Sequence, residues 1–254
     1  MEALLVYLLA GLGAGVGTGL AGLSAAAVIA PMLITFLGFD AYEAVAIALA
    51  SDVLASAASA WIYGKNKNLD IKNGLVMMIS VLLFTMVGSY TASLLPDQTM
   101  GNFSVIMTFV LGIRFLIFPV MTTKESMGEK SLRRRVAESV VCGVVIGFIC
   151  GFTGAGGGMM MLLILTSVMH YELKTAVGTS VFIMTFTALT GAVSHVVIGG
   201  MPDLGALFFC VLFTYLFARS AAGFANHAGP VTLNRITGAV LAVLGVVMMA
   251  VRFL

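Results

Sequence analysis

The sequence predicts an all-α integral membrane protein of two inverted-topology repeats. Three observations carry that prediction: charge is scarce, apolar runs reach bilayer length, and the first half of the chain recurs in the second. Of 254 residues, 60% are hydrophobic and 9% are charged, against about a quarter charged in ordinary soluble domains. That is too little charge to cover a water-facing surface. Leu75 to Leu95 and Phe103 to Met121 are apolar runs of about twenty residues, and at about 1.5 Å rise per residue each spans the roughly 30 Å hydrocarbon core as a helix. Neither shows the polar–apolar alternation of a barrel strand, so their backbone satisfies its hydrogen bonds in lipid as helix.

Breaks at polar and Gly/Pro clusters mark ten apolar segments, at 4–21, 25–38, 42–63, 75–95, 102–121, 136–153, 157–170, 173–198, 204–226 and 231–253. The second and seventh are too short to cross alone, so each is expected to pair with its predecessor as a broken or re-entrant hairpin, giving eight or ten full crossings. The hydrophilic stretch Thr122 to Arg135 carries Lys124, Lys130, Arg133, Arg134 and Arg135. It divides the chain into a first transmembrane repeat at 1–121, a cytoplasmic basic linker at 122–135 and a second repeat at 136–254. Lys65, Lys67 and Lys72 fall on the linker's side, because segments 75–95 and 102–121 make one out-and-back excursion. Lys174 and the Arg219 to Arg235 region follow them inward, which leaves both termini outside.

The formal charge of +2 sits in short loops and speaks for membrane orientation rather than nucleic-acid binding. Cys142, Cys150 and Cys210 lie within apolar segments as small hydrophobes and imply no disulfide framework. Met1 to Gly22 has no basic leader and reads as the first span rather than a signal peptide.

At an offset of 132 residues, Gly11, Gly15, Gly19 and Gly22 fall on Gly143, Gly147, Gly151 and Gly154. Phe39-Asp40 falls on Tyr171-Glu172, and Ala44-Val45 on Ala176-Val177. Five segments per half is an odd number, so the second copy is expected upside down, with a shared site near the midplane.

The run from Gly147 to Gly158 is the strongest local signal. Glycines four apart let helices approach closely, which accounts for Gly143, Gly147 and Gly151. The unbroken Gly156-Gly157-Gly158 instead weakens a helix, by about 1 kcal/mol per glycine relative to alanine. Such a run opens the backbone at membrane depth, where protein or a water-filled cavity must satisfy it. If a helix starts there, its free amides and positive dipole end would receive a small anion; packing alone is the plainer alternative. The candidate substrate-binding residues are therefore Gly22, Leu23 and Ser24 in the first copy and Gly154, Ala155, Gly156 and Gly157 in the second. Hydroxyls of Thr179 and Ser180 are expected to assist, although such hydroxyls more often bond their own backbone carbonyls.

Asp52, Ser56, Ser59 and Tyr63 form a polar stripe on one face of an apolar span. A midspan carboxylate is costly unless paired or solvated, so Asp52 is a functional candidate. Its repeat counterpart is Met184, an asymmetry suited to one proton-coupling residue, while an ion pair with midspan Arg114 is the structural alternative. His195, toward the outer end of its segment, could relay protons or simply mark the interface. Trp61 and Tyr63 are expected as interfacial anchors. No His, Cys, Asp and Glu set has metal-ligand spacing, and neither a Walker loop nor Gly-x-Ser-x-Gly occurs, so no cofactor, metal or enzymatic chemistry is expected.

Three stretches give the chain a resemblance to the sulfite exporter TauE/SafE family, also called the TSUP family of membrane permeases. They are Gly147 to Gly158 with the Met-rich sequence after it, Lys174-Thr-Ala-Val-Gly-Thr-Ser180 leading into a long span, and the weaker first copy from Gly15 through Pro31. The resemblance covers essentially the whole chain. The first copy departs from the family pattern, with Ser24-Ala25-Ala26 where the second has Gly156-Gly157-Gly158, so the two turns need not play equal roles. The resemblance implies a secondary transporter, an exporter of small sulfur-containing anions such as sulfite or organosulfonates, working by alternating access in the bacterial inner membrane. Its implied partners are that anion and the lipid bilayer; a homodimer is left open. An anion channel and a non-transporting membrane scaffold are the alternatives.

Overall fold

In the computed structural model, residues 2–92, 109–110, 113–114, 116–118, 132–153 and 157–253 are described, and among them no strand occurs. The helices are α1 (Glu2–Ala21), α2 (Ala26–Leu37), α3 (Ala41–Lys65), α4 (Ile71–Ala92), α5 (Leu132–Thr153), α6 (Gly157–Ser167), α7 (Leu173–Gly199), α8 (Leu204–His227) and α9 (Pro230–Phe253). Six of them (α1, α3, α4, α7, α8 and α9) are long and apolar enough to cross a membrane. Shifted by 132 residues, the starts of α2, α3 and α4 fall within one residue of the starts of α6, α7 and α8. The segment predicted at 102–121 lies largely outside the described residues, as does the linker up to residue 131. Arg133, Arg134 and Arg135, assigned to that linker, belong instead to the first turn of α5.

Helix boundaries follow local chemistry. Asp40 caps α3 by accepting from the Tyr42 amide at 2.9 Å, and Asp203 caps α8 by accepting from the Ala206 amide at 2.6 Å. Pro230 opens α9, where a missing N–H costs nothing.

The course of the chain through the bundle can be traced from contacts. The Asp203 amide donates to Glu43 Oε1 at 2.8 Å, so α3 and α8 start at one end, the acidic end. Alongside α8 runs α1, in the same direction: the Tyr7 and Phe209 rings stack, and a Cβ at Gly15 would lie 2.6 Å from the Thr214 carbonyl oxygen and one at Gly19 2.5 Å from that of Ala218. Glycine there lets two backbones touch. The chain then turns beside the middle of α3, and α2 leads back to the acidic end. At 12 residues, α2 is about 18 Å long and does not cross.

The second half does the same from the opposite, basic end. There Arg135 pairs with Asp70 at 3.4 Å, and α5 runs along α4, with a Cβ at Gly143 placed 2.8 Å from the Met77 carbonyl and one at Gly147 2.5 Å from that of Val81. The 11-residue α6 returns to the basic end, where Tyr171 donates to Asp70 Oδ2 at 2.9 Å. Between the hairpins, α3 and α7 pack antiparallel, with Tyr42 stacked on His195 at one end (centroids 4.4 Å apart) and Gly178 against Tyr63 near the other. Each half thus packs its first helix on the other half's fourth, α1 on α8 and α5 on α4. This exchange and the opposed directions are consistent with inverted repeats.

Trp61 is 68% exposed with the Lys65 ammonium over its ring, as an interfacial anchor would be. Tyr63 is not one: it is fully buried, and its hydroxyl donates to the Gly19 carbonyl at 2.9 Å.

The glycine seam gives a direct expectation. Gly15→Leu should force α1 off α8 and destabilise the protein by about 1–3 kcal/mol, as overpacking does, whereas a Cβ at Gly223 meets nothing within 4 Å, so Gly223→Leu should leave the melting temperature in detergent unchanged. Equal melting of the two variants would remove the seam from the fold's stability.

Candidate functional site

Gly22 adopts φ +62°, a left-handed conformation that glycine takes without penalty. This lets α1 end in the protein interior: the Gly22 amide donates to the Thr18 carbonyl at 3.0 Å, the Leu23 amide to that of Gly17 at 3.1 Å, and Thr18 Oγ1 donates to the Leu23 carbonyl at 2.7 Å. The amides of Gly22 and Leu23, expected from sequence to face a ligand, are therefore spent on closing α1.

The next helix start is filled by a carboxylate. Asp52, 1% exposed near the centre of α3, accepts from Ser24 Oγ at 2.7 Å, from Ser56 Oγ at 2.8 Å and from the Ala25 amide. It sits on the first donors of α2, at the positive end of that helix's dipole. Arg114 is not among these described partners.

The second hairpin presses on the same place. A Cβ at Gly158 would run into the Gly22 carbonyl oxygen and lie 2.9 Å from the Ser24 nitrogen and 2.8 Å from Met184 Sδ. Only a hydrogen fits, so the amino end of α6 abuts the α1–α2 turn. From α7, Ser180 Oγ donates to the Gly22 carbonyl at 3.5 Å. Ser24, Asp52, Gly158 and Ser180 thus converge from four elements onto one buried junction. Leu23 is fully buried there.

The remaining predicted residues lie elsewhere or outside the described set. Thr179 faces the other way, accepting from the Asp70 amide at 3.2 Å with its methyl against Gly74. His195 lies at the acidic end with Nδ1 3.0 Å from the Gly191 carbonyl. Its neighbour Tyr42 is separated from Asp52 by ten residues of α3, about 15 Å. Gly154, Ala155 and Gly156 fall outside the described residues, and Gly157 heads α6.

Sequence reasoning placed Ser24 among the candidates for its backbone amide, but not the bond its hydroxyl makes to Asp52, and it missed the cluster around Asp70. At the basic end, Asp70 gathers Asn73 Nδ2 at 2.6 Å, the Tyr171 hydroxyl and Arg135, which joins the halves; a lone acid among Lys65, Lys67 and Lys72 was the available signal. Burial, and then the Asp70 charge, push the Tyr171 hydroxyl above its ordinary range, so it remains a donor to that carboxylate.

Because Ser24 serves mainly Asp52, the two should be coupled. Ser24→Ala should cost about 1.5–3 kcal/mol, the worth of a hydrogen bond to a charged group, and much less in an Asp52→Asn background. Thermal unfolding of both single variants and the double variant measures this; additive losses would mean the bond is energetically idle.

Comparison with known proteins agrees with this architecture. The family model described as sulfite exporter TauE/SafE matches residues 7–248. The chain is 28% identical over 222 residues to the probable membrane transporter protein YunE of Bacillus subtilis (strain 168), covering 80% of this chain and 81% of that protein. It is 27% identical over 190 residues to the probable membrane transporter protein MJ0441 of Methanocaldococcus jannaschii, covering 71% and 68%. A shorter match, 35% over 83 residues, covers 28% of this chain and 34% of the probable membrane transporter protein YdhB of Bacillus subtilis (strain 168). No solved structure matches the chain. A multi-pass helical bundle with paired half-length helices, matched by that model almost end to end, belongs to the sulfite exporter TauE/SafE family of membrane transporters.

Proposed function

We propose that the protein is a secondary transporter exporting small sulfur-containing anions, such as sulfite or organosulfonates, across a bacterial inner membrane. The anion binds where the hairpins meet, among Ser24, Ser56, Ser180 and the amino ends of α2 and α6, and is exposed to one face at a time. The observation that carries this reading is the contact of Gly158 with Gly22 and Ser24, where hairpins from opposite ends touch at membrane depth. Half-helices arranged so turn their positive ends toward a common point, which favours negative charge. The sulfur chemistry rests on the family description. Hydroxyls and amides give an oxyanion directional donors.

Proton coupling falls to Asp52, the carboxylate within this junction. His195, at the acidic end, would exchange protons with the outer water rather than touch the anion.

A thermal-shift screen of sulfite, sulfate, thiosulfate, sulfoacetate and taurine should find an anion that raises the melting temperature. Ser180→Ala should then weaken its binding about tenfold or more, as expected for losing a hydrogen bond to a charged ligand. Flux of that anion into proteoliposomes should saturate with concentration. Silence across the whole panel, or flux that rises linearly without limit, would contradict a carrier with this site.

A further inference from the structure

We propose that Asp52 is a built-in rival of the transported anion: its carboxylate holds the amino end of α2 while the site is empty, and it accepts a proton when the anion displaces it. Anion and proton then cross together, and export proceeds when the anion's outward gradient exceeds the opposing proton gradient. The inference rests on the transporter reading above and adds how the proton is coupled.

The geometry is that of an occupied anion site. Ser24 Oγ and the Ala25 amide are the donors an incoming oxyanion would need, and both already point at Asp52. An anion cannot take them without moving the carboxylate, and two negative charges within about 4–6 Å oppose each other unless one is neutralised. A proton taken from water when the junction opens to one face, added to Asp52 Oδ2, removes that opposition and turns the group from acceptor into donor.

A second observation points to a ligand. Ser59 is fully buried and its hydroxyl has no hydrogen-bond partner among the described residues. It lies on the face of α3 that carries Asp52, Ser56 and Tyr63. Asp52 reaches Ser24 and Tyr63 reaches the Gly19 carbonyl, so the residues bracketing Ser59 both aim at the α1–α2 turn, and its register directs it there too. A buried hydroxyl left unsatisfied is costly, and a ligand held at this turn would give it a partner.

Other titratable or charged groups on α3 and on the elements packed against it sit toward the ends of the bundle or face away from Asp52. Glu2, Tyr7, Tyr42, Glu43, His195 and Asp203 belong to the acidic end. Lys65, Lys174 and His227 belong to the basic end, with Lys174 on the Asn226 carbonyl. Tyr63 is engaged with Gly19, Arg219 bonds the Tyr215 hydroxyl at an exposed position, and Cys210 is buried on α8. α2 carries no titratable residue.

The test is calorimetric titration of the purified full chain with sulfate, thiosulfate and methanesulfonate, whose charges stay constant between about pH 6 and pH 8, in buffers of different ionisation enthalpy. The wild type should take up close to one proton per anion, and its affinity should rise toward about tenfold for each unit the pH falls, as one linked proton requires. Asp52→Asn should bind at least as tightly as the wild type, with no proton uptake and a flat pH profile. Ser59→Ala should bind about tenfold more weakly and still take up the proton. Anion binding by the wild type without proton uptake overturns the rivalry and leaves the transporter reading standing. So does weaker binding by a folded Asp52→Asn at every pH. No binding of any probe by any of the proteins overturns the transporter reading and this inference with it.

Discussion

Two half-length helices, α2 and α6, begin inside the bundle, and the constraint on everything else is that the backbone ends buried there must be satisfied without water. The first hairpin meets it with its own atoms and one carboxylate. Gly22 turns left-handed so that two amides bond back into α1, Thr18 bonds the Leu23 carbonyl, and Asp52 takes the donors that begin α2. The same device that makes the break tolerable places a negative charge where the proposed substrate's negative charge would go. In the proposed carrier, stability and function would compete for one set of donors, and that competition would be the physical root of coupling.

The rest of the bundle holds those hairpins in register. Glycines at 15 and 19 seat α1 on α8, and glycines at 143 and 147 seat α5 on α4, so each hairpin is fastened to a long helix of the other half. At the basic end Asp70 ties Arg135 and Tyr171 across the halves, and at the acidic end Tyr42 meets His195 and Glu43 meets the Asp203 amide. Cross-half contacts at both ends enclose the junction. In the proposed carrier, access would alternate by releasing one set while the other holds.

Much of the fold was legible because it is written in periodic, local signals. Bilayer-length runs marked the long apolar helices, with 102–121 largely outside the described residues, the short runs at 25–38 and 157–170 marked the half-length α2 and α6, and the helix starts that recur at the same offset are consistent with the repeat. The site was legible only in outline. Asp52 and Ser180 stood out by type and depth, but nothing local shows that the Leu23 amide is consumed by Gly17, or that Thr179 turns toward Asp70 while its neighbour Ser180 turns toward Gly22. Those assignments depend on rotation about α7 and on a turn closed by non-local bonds. Ser24 was a candidate for its amide as the counterpart of Gly156, and only the folded chain shows its hydroxyl reaching Asp52.

Sidedness is the most direct measure of the central claim that the hairpins enter from opposite faces and meet within the membrane. In a background with Cys142, Cys150 and Cys210 replaced, single cysteines at Glu2, Asp40, Asn66 and His170 would be labelled with a membrane-impermeant thiol reagent in sealed vesicles of known orientation. The account predicts that positions 2 and 40 react from one face and positions 66 and 170 from the other. Labelling of positions 2 and 40 from opposite faces would mean that the first two helices together cross the bilayer, and the junction at Gly22 would no longer be a meeting point of re-entrant ends.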